Sequence, residues 1–202
     1  MTQNEQMADE LIKEIKLLAT KKEPVLIAID GRCASGKTTL ASEIQNRIPC
    51  NIIHMDHFFL RPEQRTQERY QTPGGNVDYE RFLEEVLPQL KLGGDISYQP
   101  YDCGHQRLGE PIILKSQHIT IIEGSYSCHL KLWDAYDYHC FLTVDIEEQK
   151  RRILQRNGEQ MADSFVKRWI PLEEKYLESI RWKDRCEMWF DTTLPWIYAI
   201  NK

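Results

Sequence analysis

The sequence predicts an α/β fold: a five-stranded parallel sheet flanked by helices, with a small β-hairpin flap and an Arg-rich lid. Two observations carry the sheet. Short continuous apolar runs, typical of strands buried on both faces, alternate with segments of helical periodicity. Four of the five runs also end on an acidic residue, which places chemistry at the carboxyl ends of the strands, where parallel sheets hold their ligands.

The elements follow in order. Residues 4–20 read as an amphipathic helix, with Leu11, Ile12, Ile15, Leu18 and Ala19 on one face, and Pro24 stops it. The first strand is Val25-Leu26-Ile27-Ala28-Ile29, followed by Asp30. The second is Asn51-Ile52-Ile53-His54-Met55, ending at Asp56, and the third is Ile119-Thr120-Ile121-Ile122, ending at Glu123-Gly124. The fourth is Cys140-Phe141-Leu142-Thr143-Val144, ending at Asp145, and the fifth is Met188-Trp189-Phe190, ending at Asp191. Helical segments at 37–48, 78–92, 146–157 and 162–180 lie between them, as right-handed crossovers require. Residues 60–77, with Pro62, Pro73, Gly74 and Gly75, read as a long polar loop. Residues 96–115 read as the hairpin, two apolar runs around a turn rich in Asp, Gly and His. The whole chain, 1–202, is then one domain: an N-terminal helix in 1–23, the flap at 96–115 and the lid at 146–162.

Composition bounds the function. With 41% hydrophobic residues, the chain has enough apolar mass for one core. A balance of 26 basic against 31 acidic residues, net −5, argues against nucleic acid as partner. No apolar run approaches the ~20 residues that span a bilayer, so no membrane partner is expected. Met1 to Glu10 is polar and acidic, unlike a secretory or mitochondrial leader, and a cytoplasmic location is the expectation. The six cysteines form no CxxC and no zinc spacing, so isolated reduced thiols are expected and no structural metal.

The strongest signal is Gly31-Arg32-Cys33-Ala34-Ser35-Gly36-Lys37-Thr38, which matches G-x-x-x-x-G-K-[ST]. It follows a buried strand and opens a helix, the context that the motif needs. Glycines let backbone N–H groups curl around a phosphate, and the helix N-terminus points its dipole at the same anion. The nucleotide-binding set is therefore Gly31, Ser35, Gly36, Lys37, Thr38 and Thr39, with Lys37 reaching the β- and γ-phosphates and the Thr38 hydroxyl ligating Mg²⁺. The Cys33 thiol, near a helix N-terminus, either gains acidity or merely fills a loop position.

The class of phosphate-loop protein follows from what else is present. DxxG and NKxD elements of a regulatory GTPase are missing, and the chain is too short for the sensor apparatus of a motor ATPase. A small-molecule kinase needs a base near the acceptor hydroxyl, a Mg²⁺-linked acid and cations on a lid. Asp56 is placed to be the base, Glu123 to hold Mg²⁺ through water, and Arg152 and Arg156, four apart on one helical face, to clamp phosphates. A helix-capping Asp, a solvated strand end and a solvated helix face are the bland readings of the same residues.

Taken together, Gly31 to Thr38, Ile53-His54-Met55-Asp56-His57-Phe58-Phe59, Asn76-Val77-Asp78, Gln99-Pro100-Tyr101-Asp102 with His105 and Arg107, and Ile122-Glu123-Gly124 resemble the uridine kinase branch of the P-loop kinases over about residues 24–192. The resemblance implies ATP- and Mg²⁺-dependent phosphorylation of a nucleoside 5′-hydroxyl, uridine or cytidine first. It implies Asp56 as base, Glu123 as the Mg²⁺-linked acid and Asp78 on the ribose hydroxyls. Tyr101 and His105 would recognise the base and Phe59 would flank the sugar. Departures accompany it. Asp56-His57-Phe58-Phe59 stands where that family has Asp-Asp-Phe-Tyr, and His105 comes one residue early. Phe141 to Val144 through Lys150-Arg151-Arg152, then Trp169-Ile170-Pro171 and Lys175-Tyr176, are more similar to the nicotinamide riboside kinases. That leaves nicotinamide riboside or another small metabolite as the alternative acceptor, and a nucleotide-binding regulator without turnover as the alternative class. Trp196 and Tyr198 suit either a homo-oligomer interface or packing on the core.

Overall fold

The computed structural model describes residues 2–194 and the backbone of 199–201, so Trp196 and Tyr198 lie outside the described residues. Helix α1 (Gln3–Ala19) begins at a capping box in which Thr2 and Glu5 satisfy each other's backbone N–H groups. It buries Met7, Ala8, Leu11, Ile12 and Ile15 against the sheet, and removing one such side chain, as in Leu11→Ala, costs about 2–5 kcal/mol.

Strand β1 (Val25–Gly31) is buried at every residue and leads into α2 (Lys37–Gln45). After β2 (Asn51–His54) a 3₁₀ turn, Met55–Phe58, carries Asp56. The polar stretch that read as a bare loop has structure of its own: a 3₁₀ turn at Pro62–Gln64 and α3 (Gln67–Gln71), capped by Thr66. Arg69 accounts for the order, because its guanidinium donates to the Gly75 and Val77 carbonyls at 2.7 and 2.9 Å and pairs with Glu80.

The segment expected as one helix at 78–92 is α4 (Tyr79–Arg81), a π-turn at Phe82–Val86 and α5 (Leu87–Leu92). Pro88 explains the widened turn: it has no N–H to donate, and the Leu87 N–H before it bonds five residues back to Phe82. The expected hairpin is two short ladders. β3 (Ile96–Tyr98) pairs with β6 (Ile112–Leu114), and β4 (Tyr101–Asp102) with β5 (Arg107–Leu108). The break falls at Pro100, which cannot donate to a ladder but accepts from the Gly109 N–H at 2.8 Å.

Next come β7 (Ile119–Glu123), β8 (Tyr138–Thr143) and α6 (Ile146–Asn157), whose N-terminus is capped by Asp145. Gly158 separates α6 from α7 (Glu159–Ser164), and a second π-turn, Phe165–Trp169, precedes α8 (Ile170–Ile180). Pro171 stands to this π-turn as Pro88 does to the first, and the Ile170 N–H bonds back to Phe165. Short α9 (Trp182–Arg185) leads to β9 (Met188–Asp191), and β10 (Ala199–Asn201) follows.

The sheet order is β10-β9-β8-β1-β7-β2. Five strands are parallel, as the alternation of apolar runs and helices predicts, and β10 adds an antiparallel edge on β9 that no sequence pattern announced. One face packs on α1 and α2 through Ile27, Ile29, Leu40, Ile44 and Leu142. The other packs on α5, α8 and α9 through Leu26, Ala28, Phe82, Phe141 and Trp182.

β1 lies between β7 and β8, although the next strand in the chain, β2, sits beyond β7. That inserted strand opens a crevice at the carboxyl ends of β1, β7 and β2.

Candidate active site

A cavity of about 660 Å³ occupies this crevice. Gly31 closes β1 at φ +148°, and a Cβ there would stand 2.1 Å from the Leu142 carbonyl oxygen. The loop can leave the sheet here only without a side chain. Gly36, at φ +101°, turns the chain into α2 and has open space where its Cβ would be. The Ser35 hydroxyl is buried in this loop with no partner among the described residues, an orphaned donor of the kind that a bound anion satisfies.

Lys37 is 8% exposed, and its ammonium donates to the Gly31 and Arg32 carbonyls at 2.8 Å each and to Ser125 Oγ at 3.3 Å. The charge is thus held inside the loop by oxygen dipoles. The Thr38 hydroxyl donates to Glu123, which is 3% exposed and also bonds His54 Nδ1. Both Thr38 and Glu123 offer hard oxygen, the donor type that suits Mg²⁺. Among the described residues no group of three or more His, Cys, Asp or Glu forms a metal cage. A magnesium site completed by waters and phosphate oxygens needs no such cage.

Asp56 reaches the same cavity from the turn after β2. Its carboxylate is open to the cavity but deep in the cleft, and desolvation there raises its pKa above the ordinary 3.8. Lys37 opposes the shift and Glu123 adds to it. His54, missed by sequence reasoning, is raised mainly by its hydrogen bond to Glu123. His57 is lowered by burial and accepts or donates at Tyr98 Oη, 3.0 Å away.

The structure brings Gly36, Lys37, Thr38, Thr39, Asp56, Phe59, Glu123, Arg152 and Arg156 to the wall of this one cavity. Arg152 sits over the loop, donating to the Ala34 carbonyl at 3.3 Å and to Thr192 Oγ1 at 3.1 Å, and is braced by Glu148. Arg156 approaches Cys33 Sγ at 3.5 Å. Burial pushes the Cys33 thiol up, not down, so the more acidic thiol allowed by its place in the loop is not realised.

Of the four residues carried over for the acceptor, Phe59 lines the cavity and the other three stand elsewhere. Asp78 is 1% exposed, caps α4 by accepting the Arg81 N–H at 3.1 Å, and faces Arg61 and Arg81 at 3.6 and 3.8 Å. Tyr101 is buried, and its hydroxyl accepts from Arg65 at 3.0 Å. His105 is 72% exposed at the flap turn and pairs with Asp102 at 2.7 Å. None of the three lines the cavity. Arg65, Tyr70, Asn76, Cys103, Tyr126, Arg168 and Trp169 line that end instead. Arg168 stacks between Tyr70 and Trp169, 4.9 and 4.7 Å from their ring centres. Tyr126 holds an unusual φ of +75°, fixed because Asp30 accepts its N–H at 3.1 Å and the Cys128 N–H at 2.9 Å. Asn76 and Trp169 belong to segments quoted above, whereas Arg65, Tyr70, Cys103, Tyr126 and Arg168 come from the polar stretch, the flap turn, the loop after β7 and the second π-turn, where the sequence signal was thin.

No family model matches the chain. Curated relatives do. A uridine kinase of Ureaplasma parvum serovar 3 is 27% identical over 209 residues, covering 89% of this chain and 99% of that one. Uridine-cytidine kinase B of Dictyostelium discoideum is 31% identical over 147 residues, covering 67% of this chain and 59% of its own length. Among solved structures, a possible uridine kinase from Bacillus stearothermophilus superposes with a TM-score of 0.65 at 21% identity, covering 90% of this chain and 100% of that one. The chain is thus similar in sequence to uridine kinases over most of its length, and it shares the fold of that solved structure. That relationship agrees with the strand-end acids and phosphate loop described above. Among the described residues no helix is long and apolar enough to cross a membrane.

Proposed function

We propose that this chain is an ATP-dependent kinase that transfers the γ-phosphoryl group to the 5′-hydroxyl of a nucleoside, uridine or cytidine first. What supports the reading is the convergence of Lys37, Thr38, Glu123 and Asp56 on one cavity at the head of β1, β2 and β7. The names of the relatives support the acceptor class.

In this reading the loop N–H groups and Lys37 balance the charge of the β- and γ-phosphates, and Arg152 and Arg156 close over them, excluding water from the transfer. Asp56 accepts the proton of the acceptor hydroxyl and aims its oxygen at the γ-phosphorus in line with the leaving ADP. Thr38 and Glu123 would hold Mg²⁺, which when bound would supply positive charge against the phosphates.

The experiment is ADP release measured over a panel of nucleosides and ribosides, nicotinamide riboside included. Uridine or cytidine should stimulate release by far the most. Stimulation by nicotinamide riboside alone would move the acceptor assignment. Silence across the panel, with nucleotide still bound, would favour a regulator without turnover.

A further inference from the structure

Glu173 lies in no motif that the sequence offered. Helix α8 carries it to the wall of the cavity, where it is 4% exposed. Its Oε1 accepts the Cys33 N–H of the phosphate loop at 2.6 Å, with Ser125 Oγ 3.4 Å away. Its Oε2 accepts from Gln149 Nε2 at 2.8 Å. Both oxygens take donors, which is the pattern of an ionised carboxylate. Gln149 is fully buried on α6, so this carboxylate ties the loop to α6, the first helix of the lid segment, and to α8, which follows that segment.

A loop shaped to cradle a phosphate therefore already holds an anion of its own. Burial raises the Glu173 pKa, while Lys37, Gln149, the Cys33 N–H and Arg32 hold the charge in place. An incoming triphosphate brings like charge into the same poorly solvated space, where repulsion is far stronger than in water.

Resting on the nucleotide reading above, we propose that Glu173 is the resident counter-anion of the phosphate loop, a positioning residue that occupies the Cys33 N–H in the empty site and weakens nucleotide binding by its charge. Phosphate entry displaces it or is opposed by it. Because Glu173 also holds Gln149, occupancy of the loop is transmitted to α6 in the lid and to α8 behind it. Such an arrangement favours release of the product nucleotide.

The test is Glu173→Gln, with binding of Mg·ATP, Mg·ADP and inorganic tripolyphosphate measured by titration calorimetry. The amide keeps the shape and still accepts from Cys33. Gln149 can turn its own Oε1, which has no partner among the described residues, towards the new NH₂. Affinity should rise at least tenfold, equivalent to about 1.4 kcal/mol. A merely structural role gives equal or weaker binding, and that result would overturn the proposal while leaving the nucleotide reading intact. If Glu173→Gln fails to fold, Glu173→Asp keeps the charge but withdraws it from Cys33 by one methylene, and two- to fivefold tighter binding is expected. Unchanged affinity in that variant would also overturn it. Failure of both wild type and variant to bind any of the three would instead remove the nucleotide reading, and this inference with it.

Discussion

Thr38 and Glu123 meet across the head of the sheet: the Thr38 hydroxyl lies 3.2 and 3.1 Å from the two oxygens of the Glu123 carboxylate. One stands at the start of α2 and the other at the end of β7, 85 residues apart in sequence. Glu123→Gln should raise the magnesium concentration needed for half-maximal activity at least tenfold. It should also return the His54 pKa towards 6.5, because the bond to Glu123 is the largest cause of its upward shift. A magnesium titration and a proton NMR titration of His54 check the two parts separately.

Asp56 should set the acid limb of the rate profile. Its carboxyl must be ionised to accept a proton, so activity is present above its pKa and lost as pH falls through it. Desolvation in the cleft places that pKa above the ordinary 3.8. Asp56→Asn should lower kcat by about 10²–10⁴-fold and abolish this limb, while nucleotide binding persists. Lys37→Met should weaken both binding and transfer. Initial rates across pH and a nucleotide titration for each variant are the measurements.

Two glycines of the same loop should respond differently to alanine. At Gly31 a methyl group meets the Leu142 carbonyl oxygen in a positive-φ backbone, so crowding and strain together cost roughly 2–6 kcal/mol. At Gly36 nothing lies within 4 Å, and only the strained φ remains, roughly 1–3 kcal/mol. Chemical denaturation of Gly31→Ala and Gly36→Ala should rank them in that order.

His129 should make the fold acid-sensitive. It is 6% exposed, stacked on Tyr79 with ring centres 4.2 Å apart, and burial lowers its pKa from 6.5 to about 4. A base with a depressed pKa contributes its full stability above the unfolded value and loses it as pH falls towards the folded one. Between pH 6.5 and 4 the protein should therefore lose about 3 kcal/mol from this group. His129→Phe should flatten that part of a denaturation series against pH.

How much of this was legible in the sequence depends on where each residue gets its position. Asp56 and Glu123 sit within two residues of strand ends, which apolar runs locate well, and Lys37 and Thr38 are located by the phosphate-loop motif that opens α2. The five parallel strands followed from the same runs. Glu173, Arg65 and Arg168 reach the cavity only through tertiary packing: a helix folded back over the loop, and a polar segment ordered by Arg69. Asp78 shows the opposite case. The family resemblance implied a place on the ribose hydroxyls; in the structure its Oδ1 caps α4, and its Oδ2, without a hydrogen-bond partner among the described residues, faces the arginines at 61 and 81. The two π-turns were invisible because Pro88 and Pro171 sit inside patterns that otherwise read as plain helices.

The central claim is phosphoryl transfer with Asp56 as base. Phosphorus NMR of the protein with Mg·ATP and uridine, run beside Asp56→Asn, tests it most directly. A nucleoside 5′-monophosphate signal growing in step with ADP in the wild type, and nearly absent in the variant, is the predicted result. A monophosphate signal that grows equally fast in both proteins would contradict it.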